Sequence, residues 1–173
     1  MAAVCGGLCT AARLGWGVGF AVGRGSTAGG ARPNFTGVWR VERTENLGGF
    51  MQDIDYNFLI AKAAGLARVT QTIEHQGDEL DFTFEVMPPI LSSRRQSLVR
   101  VGEQEIPMTD DAGREMILLN PTWNATVFTA GLQYVNPRHD LTIDRYLEDG
   151  CMVEHVRYPN KGVEMRRIFQ KVS

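Results

Sequence analysis

Polar and apolar residues alternate over most of the chain from Phe35 onward, as they do in β-strands that bury one face. Turn-forming groups of Gly, Pro, Asn and Asp interrupt this alternation at short, regular intervals. The pattern predicts strands over residues 36–43, 67–75, 79–87, 94–101, 104–109, 113–119, 126–134, 140–147, 151–158 and 163–172. Because the links are short, we expect neighbouring strands to pair antiparallel. A meander of this length predicts an all-β fold that closes into a barrel around a cavity.

One segment, residues 46–64, follows helical spacing instead. Its apolar stripe consists of Leu47, Phe50, Met51 and Ile54. Asn46 is a candidate N-cap, and a second short helix is predicted over residues 58–64, ended by Gly65. We therefore expect two short helices between the first and second strands.

The first 34 residues differ in composition from the rest of this 173-residue chain. They are rich in Gly and Ala, and no acidic residue occurs before Glu42. We expect residues 1–34 to be a disordered or targeting-like extension and residues 35–173 to form one packed domain. An organelle-targeting peptide, a secretory signal and a misassigned translation start are all compatible with this composition.

Composition and motifs argue against several functional classes. The net charge is −2 and basic residues are scattered among acids, so nucleic-acid binding is not expected. No nucleophile elbow, zinc-protease motif or phosphate-binding loop is present, and we expect no catalytic residues and no cofactor. His75, His139 and His155 are far apart in sequence, so no metal site is expected. The presence of only three cysteines argues against a disulfide framework and favours a reducing compartment.

Two arginines near the C-terminal end interrupt apolar rows of predicted strands. Arg167 shares a face with Met165 and Phe169, and Arg145 shares one with Ile143. A buried guanidinium requires an anionic partner. Three explanations are open: an internal Asp or Glu, a different register that leaves both arginines in solvent, or a ligand with an acidic head group. The donor fork of arginine suits the last of these.

Both ends of the domain resemble the cytosolic fatty-acid-binding proteins, the intracellular lipid-binding branch of the calycin superfamily. The matching opening residues are Gly37, Val38, Trp39, Val41, Asn46, Phe50, Met51 and Ile54. Residues 142–145 and 167–172 resemble the strands that carry the family's inner arginines. Leu47 stands where an aromatic residue is usual, and Gly48 where an acid is usual. The resemblance covers residues 35–172 and is loosest over residues 87–123.

The resemblance implies a ten-stranded antiparallel up-and-down barrel (β-clam) with a short helix-turn-helix lid between the first two strands. It implies that Arg145 and Arg167 bind a fatty-acid carboxylate, and that Phe169 occupies the place of the tyrosine that usually joins them. It also places Leu47 and Met51 on the inward stripe of the lid. Core packing explains that stripe equally well.

The expected function is that of a non-enzymatic intracellular carrier for a long-chain fatty acid or a similar acidic lipid. Its partners would be this ligand and, transiently, a membrane touched by the helical lid. We expect a cytoplasmic monomer, or an organelle protein if residues 1–34 are a transit peptide. Two alternatives stay open: a secreted lipocalin-like binder of a retinoid, haem or another hydrophobic small molecule, and a ligand-free interaction module.

Overall fold

The computed structural model describes residues 31–87, 93–110 and 112–173. The strands are β1 (Gly37–Glu45), β2 (Arg68–Gln76), β3 (Glu79–Met87), β4 (Ser93–Arg100), β5 (Glu105–Thr109), β6 (Glu115–Asn124), β7 (Val127–Tyr134), β8 (His139–Glu148), β9 (Cys151–Tyr158) and β10 (Val163–Lys171). Two helices, α1 (Leu47–Asp53) and α2 (Phe58–Leu66), lie between β1 and β2. The predicted all-β barrel with a helical lid is confirmed. The predicted N-terminal extension lies outside the described residues, apart from residues 31–34.

The ten strands of the described residues form one antiparallel sheet in which strands that follow each other in sequence pair, except β4 and β5. β1 also pairs with β10, and this pairing curls the sheet into a nearly closed barrel. β4 and β5 are the two edges of the sheet. The Arg95 side chain on β4 donates to the Thr109 carbonyl on β5, so a side chain bridges these two edges.

The described residues form two apolar clusters inside the barrel. The first, which we call the base cluster, is formed by Phe35, Trp39, Ile73, Leu80, Phe82, Val99, Ile106, Leu118, Phe128, Ala130, Met152 and Phe169. The second lies beneath the two helices and is formed by Phe50, Ile54, Met116, Tyr134, Leu141, Val156, Tyr158 and Met165. Because Phe50 and Ile54 belong to it, this second cluster packs the lid onto the barrel. Burial of these apolar side chains is the main force that holds the lid against the barrel.

The helices differ from the prediction at their ends. α2 continues through Gly65 to Leu66, because Gly65 keeps helical backbone angles instead of the left-handed ones that end a helix. Asn46 precedes α1 in the left-handed conformation, and its side chain does not cap the helix. That side chain instead donates to the Glu164 carbonyl at 2.8 Å and thereby ties α1 to β10. Neither helix is long and apolar enough to span a bilayer, and this holds for every helix of the described residues.

The turn predicted at Asn120 and Pro121 is also wrong. β6 runs through both residues, and its register with β7 shifts between Leu119 and Thr122. Asn120 has a φ of 47° there, so the Asn-Pro pair makes a bulge within the strand. The turn follows at Ala125, which has a φ of 53°.

Candidate functional site

Three adjacent strands bring two arginines and one glutamate into a row inside the barrel. Arg145 on β8 and Arg167 on β10 both lie opposite Glu154 on β9. Nη2 of Arg145 is 2.5 Å from Oε2 of Glu154, and Nη1 of Arg167 is 3.5 Å from Oε1. The side chains of Arg145 and Glu154 are 4% and 7% exposed, and that of Arg167 is 24% exposed. The structure therefore brings both predicted arginines together around an internal carboxylate.

Sequence analysis missed Glu154, although the signal that revealed Arg167 was present. On β9 the inward face carries Met152, Glu154, Val156 and Tyr158, so Glu154 interrupts an apolar row just as the arginines do. Gln71 interrupts a similar apolar row on β2, and its Nε2 is 3.5 Å from Oε2 of Glu154. The internal ion pair that the sequence left open as an alternative is thus present, together with a second cation.

The cluster carries two positive charges and one negative charge, so one positive charge has no anion among the described residues to balance it. Burial alone would raise the pKa of Glu154, but the charges of Arg145 and Arg167 outweigh it and hold that pKa below its ordinary value. Burial lowers the pKa of Arg145, with Glu154 opposing it. Arginine starts from so high a value that it keeps its proton. Glu154 is therefore a carboxylate between two guanidinium groups.

Two donors of the Arg145 guanidinium are not engaged within the part of the chain that the structure describes. Its Nε and Nη1 are buried and have no hydrogen-bond partner among the described residues. Its guanidinium carbon lies 4.5 Å from the centre of the Phe82 ring, which packs against one face of the group. A buried donor without a partner is costly, so a ligand that accepts hydrogen bonds from Arg145 would be stabilised here.

A cavity of about 180 Å³ adjoins this cluster. Apart from Arg145, Glu154 and Arg167, its wall is largely apolar and includes Leu47, Phe50, Met51, Ile60, Ala64, Phe82, Phe84, Met116, Phe128, Leu132 and Met165. Four of the five predicted site residues line it: the two arginines, Leu47 and Met51. The fifth, Phe169, is fully buried in the base cluster and is not part of the lining. The cavity thus combines the Arg145–Glu154–Arg167 cluster with a largely apolar wall, to which the charged residues Arg95 and Asp110 also contribute.

A second polar group, which we call the lid cluster, joins the α1–α2 connection to the barrel. The guanidinium of Arg114 lies between the rings of Tyr56 and Tyr134, 3.7 and 4.3 Å from their centres. Its Nε is 3.1 Å from Oδ2 of Asp110, and its Nη1 donates to the Ile54 carbonyl at 2.9 Å. The Tyr56 hydroxyl donates to the same Asp110 oxygen. Burial and the charge of Asp110 raise the pKa of both tyrosines, so their hydroxyls stay protonated.

Arg114→Met is expected to loosen the lid, because it removes the guanidinium but keeps an apolar stem between the two tyrosines. The hydrogen bonds of a charged group to Asp110 and Ile54 contribute about 1.5–3 kcal/mol, and we expect a loss of stability of that size. Faster hydrogen exchange at the amides of Ile54 and Tyr56, which are bonded to Phe50 and Met51, would show that the change is local.

Arg138→Met is the matched control for this variant. Arg138 pairs with Asp140 on the surface, where both side chains are largely exposed. Such pairs contribute about 0–1 kcal/mol. Equal effects of the two substitutions on stability and on exchange in the lid would contradict the role given to Arg114.

The two helices of the lid are held differently. α1 and the residues after it are tied to the barrel by Lys161, whose Nζ donates to the Asp53 carbonyl at 2.5 Å, and by Arg114. α2 exposes three large apolar residues, Phe58, Leu59 and Leu66, at 64%, 74% and 69%. Its inward residues Ile60 and Ala64 line the cavity. α2 is therefore the part of the lid that covers the cavity with the fewest polar ties to the barrel among the described residues.

Within the described ranges, no three His, Cys, Asp or Glu side chains are grouped as a metal site would require. No protein-family model matches the sequence, and no curated protein matches it.

Solved structures do resemble this one. The REP1-NXSQ fatty acid transporter is 22% identical, with a TM-score of 0.68 over 80% of this chain and 96% of that chain. Echinococcus granulosus fatty-acid-binding protein 1 is 18% identical, with a TM-score of 0.67 over 80% of this chain and 98% of that chain. The wild-type fluorescent protein UnaG is 18% identical, with a TM-score of 0.68 over 80% of this chain and 97% of that chain. The chain therefore has the fold of the fatty-acid-binding proteins.

Proposed function

We propose that the protein is a non-enzymatic carrier that binds a long-chain fatty acid or a similar acidic lipid inside its barrel. The carboxylate is held by Arg145 and Arg167, and the tail lies along the apolar wall beside Leu47 and Met51. The observation that carries this proposal is the pair of buried, unpartnered donors of Arg145 at the charged end of an apolar cavity. The fold supports it, because two of the similar structures are described as fatty-acid proteins.

Neither the head group nor the tail suffices alone. Each buried methylene contributes about 0.8 kcal/mol, so a long tail gains on the order of 10 kcal/mol. Association itself costs about 4–15 kcal/mol, which leaves the tail marginal. Hydrogen bonds from a charged arginine supply the remainder and orient the ligand with its carboxylate inward. An acidic amphiphile therefore matches both parts of the cavity.

The size of the cavity indicates that the lid moves when the ligand enters. Pockets for drug-sized ligands usually measure about 300–1,000 Å³. The present cavity of about 180 Å³ holds only part of a long-chain lipid while the lid is closed. We expect α2 to move away from the barrel when the ligand enters, because it covers the cavity and has few polar contacts with the barrel.

The exposed apolar residues of α2 also support transient contact between the lid and a membrane. Phe58, Leu59 and Leu66 present a surface that a bilayer would cover. The protein would act as a monomer in the cytoplasm, or in an organelle if residues 1–34 direct it there.

Titration of the delipidated protein with a fluorescent long-chain fatty acid tests the proposal. Arg145→Gln is expected to weaken binding roughly ten- to a hundredfold, the equivalent of a charged hydrogen bond. The matched control is Arg166→Gln. Arg166 precedes Arg167 on β10, but its side chain faces outward and pairs with Glu45 and Glu148. That variant is expected to bind as the wild type does.

Because Arg145→Gln leaves Glu154 without its closer partner, the double variant Arg145→Gln/Glu154→Gln is measured alongside it. Circular dichroism verifies that each variant is folded. If the wild-type protein takes up no fatty acid, or if Arg145→Gln binds as tightly as Arg166→Gln, the proposed role of the arginine cluster is wrong. Uptake of retinol or haem in place of the fatty acid would favour the lipocalin-like alternative.

A further inference from the structure

We propose that Glu154 sets the charge of the head group that the cavity accepts, so that the site takes a monoanion and disfavours a dianion. This inference rests on the proposed function, since it concerns the ligand held by Arg145 and Arg167. It assigns to Glu154 the role of a specificity-determining residue.

Glu154 is a fixed part of the site. Its Oε2 accepts from Nη2 of Arg145 at 2.5 Å and from Nε2 of Gln71 at 3.5 Å, and its Oε1 lies 3.5 Å from Nη1 of Arg167. These partners come from β8, β2 and β10, so the carboxylate is held from three strands. An incoming anion therefore joins Glu154 in the cluster and does not replace it.

The charges of the cluster add up to one positive charge. One monoanion brings the sum to zero. A dianion would leave one uncompensated negative charge in a buried place next to Glu154, and such a charge is strongly unfavourable. Without Glu154 the sum would be two positive charges, and a dianion would then be the better complement.

The available donors agree with this charge count. Nε and Nη1 of Arg145 are the buried, unpartnered donors of the cluster among the described residues, and they fit one acceptor group. The other charged residues that line the cavity are already engaged. Arg95 donates to the Thr109 carbonyl, and Asp110 binds Arg114 and Tyr56. The charge of the ligand is therefore set at the Arg145 end.

Two probes with the same tail and the same tetrahedral head shape isolate the effect of charge. Hexadecyl sulfate is a monoanion, and hexadecyl phosphate is dianionic at about pH 8, above its second pKa. Both are tested as competitors of a bound fluorescent fatty acid. The wild type is expected to prefer the sulfate by about tenfold or more, which corresponds to the cost of one poorly compensated charge. In Glu154→Gln this preference is expected to vanish or reverse.

Two further variants complete the series of charges and keep the test decisive if Glu154→Gln folds poorly. The double variant Glu154→Gln/Arg167→Gln restores a sum of one positive charge, and the sulfate should again be preferred. Arg167→Gln alone gives a sum of zero, and the advantage of hexadecyl sulfate over neutral hexadecanol should fall by about tenfold.

The outcomes separate this inference from the function on which it rests. If the wild type binds palmitate but shows the same sulfate-to-phosphate ratio as Glu154→Gln, the role of Glu154 is overturned and the carrier function stands. If Arg167→Gln keeps the full advantage of sulfate over hexadecanol, the charge sum does not govern selectivity. If the wild type binds none of the lipids, both proposals fall.

Discussion

Replacing Glu154 with leucine is expected to lower the free energy of unfolding by about 3–5 kcal/mol, because it leaves the buried Arg145 without an anion. The Arg145 and Glu154 side chains are almost completely inaccessible, so water cannot take over the lost interaction. Arg167 adds to the effect, since it would then face Arg145 with no carboxylate between them. Urea-induced unfolding of the delipidated protein measures the change.

The companion variant Arg145→Leu/Glu154→Leu distinguishes the net contribution of the ion pair to the free energy of unfolding from the destabilisation caused by leaving one charge unpaired. Removing both buried charges together is expected to cost less than Glu154→Leu alone, because no unpaired charge stays next to the apolar wall. Arg167 is partly exposed and can turn toward water. Glu164→Leu on the exposed surface of β10 is the control and should change stability by about 0.5 kcal/mol or less. If Glu154→Leu is no more harmful than this control, Arg145 reaches solvent and is not enclosed.

Phe169→Ala is expected to lower the free energy of unfolding by about 3–5 kcal/mol, because it opens a cavity in the base cluster. Phe169 is fully buried, and its strand partners are Val41 on β1 and Met152 on β9. Leu147→Ala on β8 is the control, since Leu147 is among the exposed large apolar residues and should cost far less. Thermal or urea unfolding distinguishes the two.

The same position allows a test of the ligand-binding role that the family resemblance implies for Phe169. Phe169→Leu keeps most of the apolar volume and is expected to preserve fatty-acid affinity, because Phe169 does not line the cavity. A loss of affinity comparable with that of Arg145→Gln, in a variant that is folded, would instead place Phe169 in the binding site.

The period-two pattern was sufficient to predict the barrel and the position of both arginines in it. On β8 and β10, side chains two residues apart share a face, so Arg145 and Arg167 were recognisable from their apolar neighbours alone. Glu154 carried the same signal on β9 and was overlooked because a single acid in a strand is usually exposed. Recognising it would have required combining this signal with the predicted strand order, in which β9 lies between β8 and β10 and Glu154 can therefore partner both arginines.

Other features depend on contacts that no local pattern reveals. The lid cluster joins Tyr56, in the connection between the helices, with Asp110 and Arg114 at the β5–β6 turn, and only the folded barrel brings these residues together. Asn120 and Pro121 are typical turn residues, yet pairing of β6 with β5 and β7 keeps them within a strand. In these places tertiary packing outweighs local preference.

The pairing of β1 with β10 has a consequence for biosynthesis. These strands are the first and last of the domain, so the sheet cannot be completed while residues 163–171 are still in the ribosome. Contacts between such distant segments make folding slow, because a long loop must be ordered before they form. The arginine cluster is built from β8, β9 and β10, and a nascent chain that stops before β10 has neither a finished sheet nor Arg167. The proposed arginine site is therefore complete only after β10 has left the ribosome and joined the sheet.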